Sequence, residues 1–213
     1  MAKGKGAGTI LVAGALALAL ASADNDGPAT SGTGTQQQVV TNSYAARLAA
    51  SKAAARRGDI AAAAQQMGLT AGPRGQSHNV NCAAFATGQV RQFLLRTPCR
   101  GMDRLLFTVR NSQGGTIAVA VAWVDFAKPG QATAFRRVDD TPGAGEIKPL
   151  PGSVAGIQDV HLTGEHHRSR QVGATAVSAD AEPVGSGQQT DALLDEIAGI
   201  AVLLPHMYGQ IGK

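Results

Sequence analysis

The densest run of groups able to do chemistry is His161-x-x-x-Glu165-His166-His167, followed by Arg168 and Arg170. Three imidazoles and a carboxylate are a donor set for zinc or copper. The spacing fits no standard zinc pattern. The apolar positions before it predict a strand carrying His161, with the histidine pair in the adjoining turn. Successive residues of an extended chain point to opposite faces, so His166 and His167 reach one ion only from an irregular turn. A solvated hairpin tip accounts for the same residues without a ligand. His161, Glu165, His166 and His167 are therefore the candidate metal set, and they stand as the alternative to a binding surface that needs no metal.

Other constellations are thinner. Asp139-Asp140 is a possible acid/base pair, but adjacent residues rarely face each other across a substrate, and a predicted helix end places them in solvent. Asp125 and Glu146 are isolated carboxylates. No Gly-x-Ser-x-Gly elbow is present, and Gly143-Ala144-Gly145 lacks the strand-turn-helix setting and the lysine of a phosphate loop. Arg136-Arg137 and Arg168 with Arg170 read as solvated basic pairs. No residue is assigned a catalytic role, and no cofactor is implied.

Cys82 and Cys99 are the only two cysteines. In an exported chain they read as one disulfide. A helix over 86–95 would hold its ends about 15 Å apart, whereas bridged cysteines need Cα atoms about 5.5 Å apart. The flanking segments must therefore fold back along the helix.

The N-terminus supports export. Lys3 and Lys5 precede an uncharged apolar run, Ile10 to Ala21, that ends in Ala21-Ser22-Ala23 before Asp24. A basic start, an apolar centre and small residues at the cut are the pattern of a secretory leader spanning 1–23. The alternative is an uncleaved leader that anchors the chain to the membrane. The whole chain carries 19 Lys and Arg against 15 Asp and Glu. Without Lys3 and Lys5 the balance falls from +4 to +2, which excludes the dense basic footprint of a nucleic-acid binder.

Residues 24–41 read as a flexible linker, small and polar over most of their length. Residues 42–213 read as a single exported domain with an Ala-rich helical lead-in over 42–68, split at Gly58 within Arg57-Gly58-Asp59. Residues 70–81 read as a polar loop, and Ala86, Val90, Phe93 and Leu94 as one face of a helix. Leu105–Arg110 and Thr116–Phe126 alternate as a hairpin joined at Asn111–Gly115. Along the second strand Ile117, Val119, Val121 and Trp123 face one side and Ala118, Ala120 and Ala122 the other, which predicts a central strand with a helix packed close over the alanines. Pro129 starts a helix to Asp139. Strands are expected at 155–162 and 171–181, and a helix from Asp191 to Leu204 capped by Thr190. The pattern is α+β: an antiparallel sheet of about four strands in two hairpins, with packed helices.

The stretch Leu95-Arg96-Thr97-Pro98-Cys99-Arg100 resembles one found in uncharacterised exported proteins of actinobacteria. Ala120 to Asp125, Asp140-Thr141-Pro142-Gly143 and Ala181 to Gly185 are similar in the same way. The likeness spans about 44–204 and implies a family without an assigned activity. The order of elements also resembles lipoproteins and kinase sensor ectodomains of Mog1/PsbP-like build, which bind partners or ligands. Unlike the lipoproteins, the chain lacks a lipid-accepting cysteine. The expected function is a non-catalytic binding domain of the cell envelope or extracellular space. Its expected partner is an envelope protein or small ligand; no nucleic acid is expected, and the membrane is touched only through an uncleaved leader.

Overall fold

Alanine-rich sequence opens the described part of the chain, and alanine is the strongest helix former. In the computed structural model, which describes residues 33–185 and 189–206, helix α1 runs Thr33–Arg56 and α2 Ile60–Gln66. The break falls at Gly58, which adopts a positive φ of 80°. Asp59 then caps α2 by accepting from the Ala62 N–H. The buried Ser51 hydroxyl donates to the Ala63 carbonyl across the pair. The expected leader, with its cleavage residues Ala21, Ala23 and Asp24, lies outside the described residues. The expected linker does not reach 41, because helix α1 has already begun at Thr33.

Five strands follow: β1 Thr70–Asn79, β2 Gly101–Arg110, β3 Thr116–Asp125, β4 His167–Val172 and β5 Thr175–Val184. They form one antiparallel sheet in the order β1-β2-β3-β5-β4, with β3 in the centre as its alternation predicts. Helices α3 Gly88–Arg96, α4 Pro129–Asp139 and α5 Asp191–Ala201 complete the α+β architecture.

Two expectations are corrected. Residues 70–79 are an edge strand rather than a loop: they are polar because one side has no neighbour, and Pro73 sits where the register with β2 shifts, a place a sheet tolerates it. The strand expected over 155–162 is absent. Its apolar residues belong to a short 3-10 turn, Gly152–Ala155, and to a loop that lays Leu150, Ala155 and Leu162 on Leu106, Ala118 and Ala120. The chain re-enters the sheet only at His167.

The two faces of the sheet bury different things. On one, Leu105, Phe107, Val109, Ile117, Val119, Val121, Trp123 and Val177 pack beneath α1, α2 and α5. On the other, α3 and α4 cover Met102, Ala122, Val124 and Ala176 at one end, and the 150–162 loop covers the opposite end. The helices reach the alanines of β3 only at Ala122, and the loop reaches Ala118 and Ala120. Between these covers, Ala120 and Ala122 floor a cleft.

Candidate functional site

The cleft has a volume of about 600 Å³. Its floor is Ala120 and Ala122, whose methyl groups leave the space that larger side chains would fill. Cross-strand pairing sets the polar groups around them. Arg104 on β2 and Ser178 on β5 flank Ala122 in one row, while Asp180 on β5 lies beside Ala120, with His167 of β4 opposite it. The C-terminal end of α4 brings Asp139 and Asp140 over the β5 side, and the loop from Thr141 to Pro149 forms a wall.

That wall is held by α3. The Gln89 and Val90 N–H groups at the helix start donate to the Ala144 carbonyl, and Thr87 and Glu146 bond reciprocally through backbone and hydroxyl. Two glycines allow the contact. A Cβ on Gly88 would meet the Ala144 carbonyl and one on Gly145 the Thr87 carbonyl, both inside van der Waals distance, and both residues have positive φ. The second wall, around Thr163, hangs on Glu182: the Thr163 N–H and hydroxyl both donate to its Oε1 at 2.6 Å.

His167 lies at the centre of the charged end. Its Nδ1 is 3.0 Å from Asp180 and its Nε2 is 3.3 Å from Asp140. Burial alone would push this imidazole down. The hydrogen bond and charge of Asp180, with the charges of Asp139 and Asp140, outweigh it and raise the pKa to about 9. His167 is thus an imidazolium at neutral pH. In that form both ring nitrogens carry hydrogen, and neither has a lone pair with which to take a proton.

Asp139 is different. Its side chain is 5 % exposed. Burial raises its pKa to about 6, with the support of Asp180 and Asp140 and against the opposing charge of His167 and a hydrogen bond from the Ser178 hydroxyl. Among the described residues its Oδ2 has no hydrogen-bond partner; the nearest cationic nitrogen, His167 Nε2, is 3.8 Å away. Glu146, in the wall, is also pushed up by burial.

Across the floor, Arg104 donates from Nη1 to the Lys148 carbonyl at 2.9 Å and from Nη2 to Asn79, and its guanidinium lies 4.2 Å from the Phe85 ring centroid. Its Nε is buried without an acceptor among the described residues.

No family model, curated protein or solved structure matches the chain. The site has to be understood from its own residues.

The candidate metal set is not gathered into one centre. His167 faces the cleft. His166, in the turn just before β4, points to the other face of the sheet, where its Nδ1 is 3.1 Å from Asp195 of α5. His161 and Glu165 are exposed at the cleft rim. No group of three or more His, Cys, Asp or Glu able to hold a metal ion occurs among the described residues.

Asp139 was expected in solvent and is instead the most perturbed acid of the site. The doublet hid this, since only Asp140 of the two is exposed. The one signal in the sequence was the small face of β3, which marks the floor above which Asp139 stands. Arg168 and Arg170 are not a free basic pair either: Arg168 pairs with Asp195 at 3.0 Å, and Arg170 donates to the carbonyls of Val202, Leu203 and Leu204. Cys82 and Cys99 do pair. The 3-10 turn Cys82–Phe85 folds back along α3 and brings their Cα atoms to 6.3 Å.

Proposed function

We propose that this chain is an exported binding domain of actinobacterial type, and that its ligand site is the cleft over Ala120 and Ala122. The observation that carries the reading is Asp139: a buried acid with a raised pKa and an unpartnered oxygen, in a concave site lined by convergent polar groups. Perturbed acids in clefts are functional candidates, and sites that are concave with a few placed polar groups are how small ligands are held. His167, held charged between carboxylates, fits the fixed counter-ion of a binding site better than a general base. The disulfide fits an oxidising compartment. Among the described residues no helix is long and apolar enough to cross a membrane.

The test fills the floor. Saturation-transfer NMR with a library of polar fragments is run on the protein and on Ala120→Phe, whose fold is checked by the near-UV circular dichroism of Trp123. Fragments that bind the protein and not the variant are expected. Identical hits for both proteins would remove the cleft from the function. Export is tested by N-terminal sequencing of the chain recovered outside the cytoplasm, with Asp24 expected as the first residue.

A further inference from the structure

We infer that the cleft takes a small organic cation bearing N–H donors, a primary ammonium or guanidinium group seated on Asp139. The inference rests on the cleft being the ligand site and adds what that ligand must be.

At the charged end of the cleft, carboxylate acceptors outnumber the donors that face them. Three carboxylates, Asp139, Asp140 and Asp180, surround one imidazolium, and an imidazolium has two N–H groups. Nδ1 is committed to Asp180 at 3.0 Å and Nε2 lies closer to Asp140, at 3.3 Å, than to Asp139, at 3.8 Å. Asp139 is left with the Ser178 hydroxyl, whose single hydrogen cannot serve both carboxylate oxygens. Its Oδ2 is buried and lacks a donor among the described residues. A buried acceptor without a donor is costly, and a buried anion more so. A ligand ammonium supplies both the hydrogen and the charge. Such charge-assisted bonds are the strong ones.

The surroundings select the same sign. Glu146 and Glu165 add two carboxylates to the lining, while the cations opposed to them, Arg104 and Lys148, stand toward the wall near Phe85. The Arg104 Nη atoms are already used on Lys148, Pro149 and Asn79. The alanine floor offers methyl surface to the methylene stem of an amine and no room for a further polar side chain. A quaternary ammonium brings charge without a hydrogen, and Oδ2 needs a hydrogen, so it is a poor ligand.

The test uses the full chain at pH 7.5 and follows backbone amide shifts of the 15N-labelled protein. The probes are n-butylammonium, methylguanidinium, tetramethylammonium, succinate and glucose. Expected are saturable shifts at Gly143, Ala144 and Thr163 with the first two, weaker ones with tetramethylammonium, and at least about tenfold loss of n-butylammonium affinity in Asp139→Asn. Asp191→Asn, an exposed carboxylate at the start of α5 outside the cleft, controls for general loss of charge and is expected to bind with little change. Equal affinity in Asp139→Asn and the parent overturns the inference, as does tetramethylammonium binding as tightly as n-butylammonium. Cleft shifts with succinate or glucose alone overturn the ligand class but leave the cleft as the binding site. Shifts with none of the probes, together with no fragment lost on filling the floor, overturn both.

Discussion

Above pH 6 the Asp139 carboxylate must be ionised where burial opposes its charge, and linkage turns this into a stability profile. In the unfolded chain the group titrates at 3.8 and in the fold at about 6. Below 3.8 both states are protonated and the residue is neutral in the balance. As pH rises from 3.8 to 6, the unfolded chain gives up its proton first and the fold loses about 3 kcal/mol. His167 has the opposite kind of shift. Its pKa is raised from 6.5 to about 9, so its contribution, also about 3 kcal/mol, is present in full below 6.5 and disappears as pH rises through 9. The two groups touch, so their effects do not add. Urea denaturation of Asp139→Asn is expected to show a protein more stable than the parent by about 1–3 kcal/mol at pH 7.5 and equal to it near pH 3.5. A residue whose removal stabilises the fold while weakening amine binding is serving the site rather than the fold. A neutral or destabilising effect at pH 7.5 would return Asp139 to a structural role. His167→Gln is expected to flatten the loss of stability between pH 6.5 and 9, read from the same titration.

At the scale of elements, α5 is fastened by the edge strand beside it. Arg170 of β4 spends its guanidinium on the carbonyls of Val202, Leu203 and Leu204, just past the helix, and the Trp123 indole N–H donates to Leu204 as well. Helix C-termini leave carbonyls without partners, and a planar fork of donors satisfies several at once. Arg170→Ala is therefore expected to lose about 1–3 kcal/mol by urea denaturation, with a change in Trp123 fluorescence. Arg170→Lys should recover little, because an ammonium cannot present the fork. None of this was visible in the residue pair Arg168 and Arg170, since nothing local announces that a distant helix will end above them. The elements that were legible are those with local signals: Pro129 at the first turn of α4, Thr190 accepting from Leu193 at the start of α5, and the alternation of β2 and β3. Strand β1 was hidden because pairing with β2, not its own pattern, makes it a strand. The segment 155–162 misled because its apolar residues face the sheet from a loop. The small face of β3 is covered by helices only at its Ala122 end, and by a loop at Ala118 and Ala120, with the cleft between: a row of alanines is needed equally for close helix packing and for a cleft, and only the tertiary arrangement separates the two.

Taken as a whole, the molecule ties the cleft wall to its only covalent crosslink. The Cys82–Cys99 bridge closes a 17-residue separation and holds the 3-10 turn against α3. That turn carries Phe85, which stacks under Arg104 and accepts the Lys148 N–H through its carbonyl at 2.8 Å; Ala86 next to it bridges Ile147. The same segment therefore borders the core and the wall that carries Glu146 and Lys148. In the chain-entropy model a loop of this length is worth about 3 kcal/mol. The double variant Cys82→Ser/Cys99→Ser should fall in stability by that order under urea, and it should also bind n-butylammonium more weakly, since a wall free to sample other positions must be ordered again on binding. Both readings are needed. Lost stability with unchanged affinity would mean that the wall is set by the α3 N–H groups on the Ala144 carbonyl and not by the crosslink. Lost affinity with unchanged stability would mean that the bridge acts on the native cleft alone, and that the unfolded chain gains nothing from being closed.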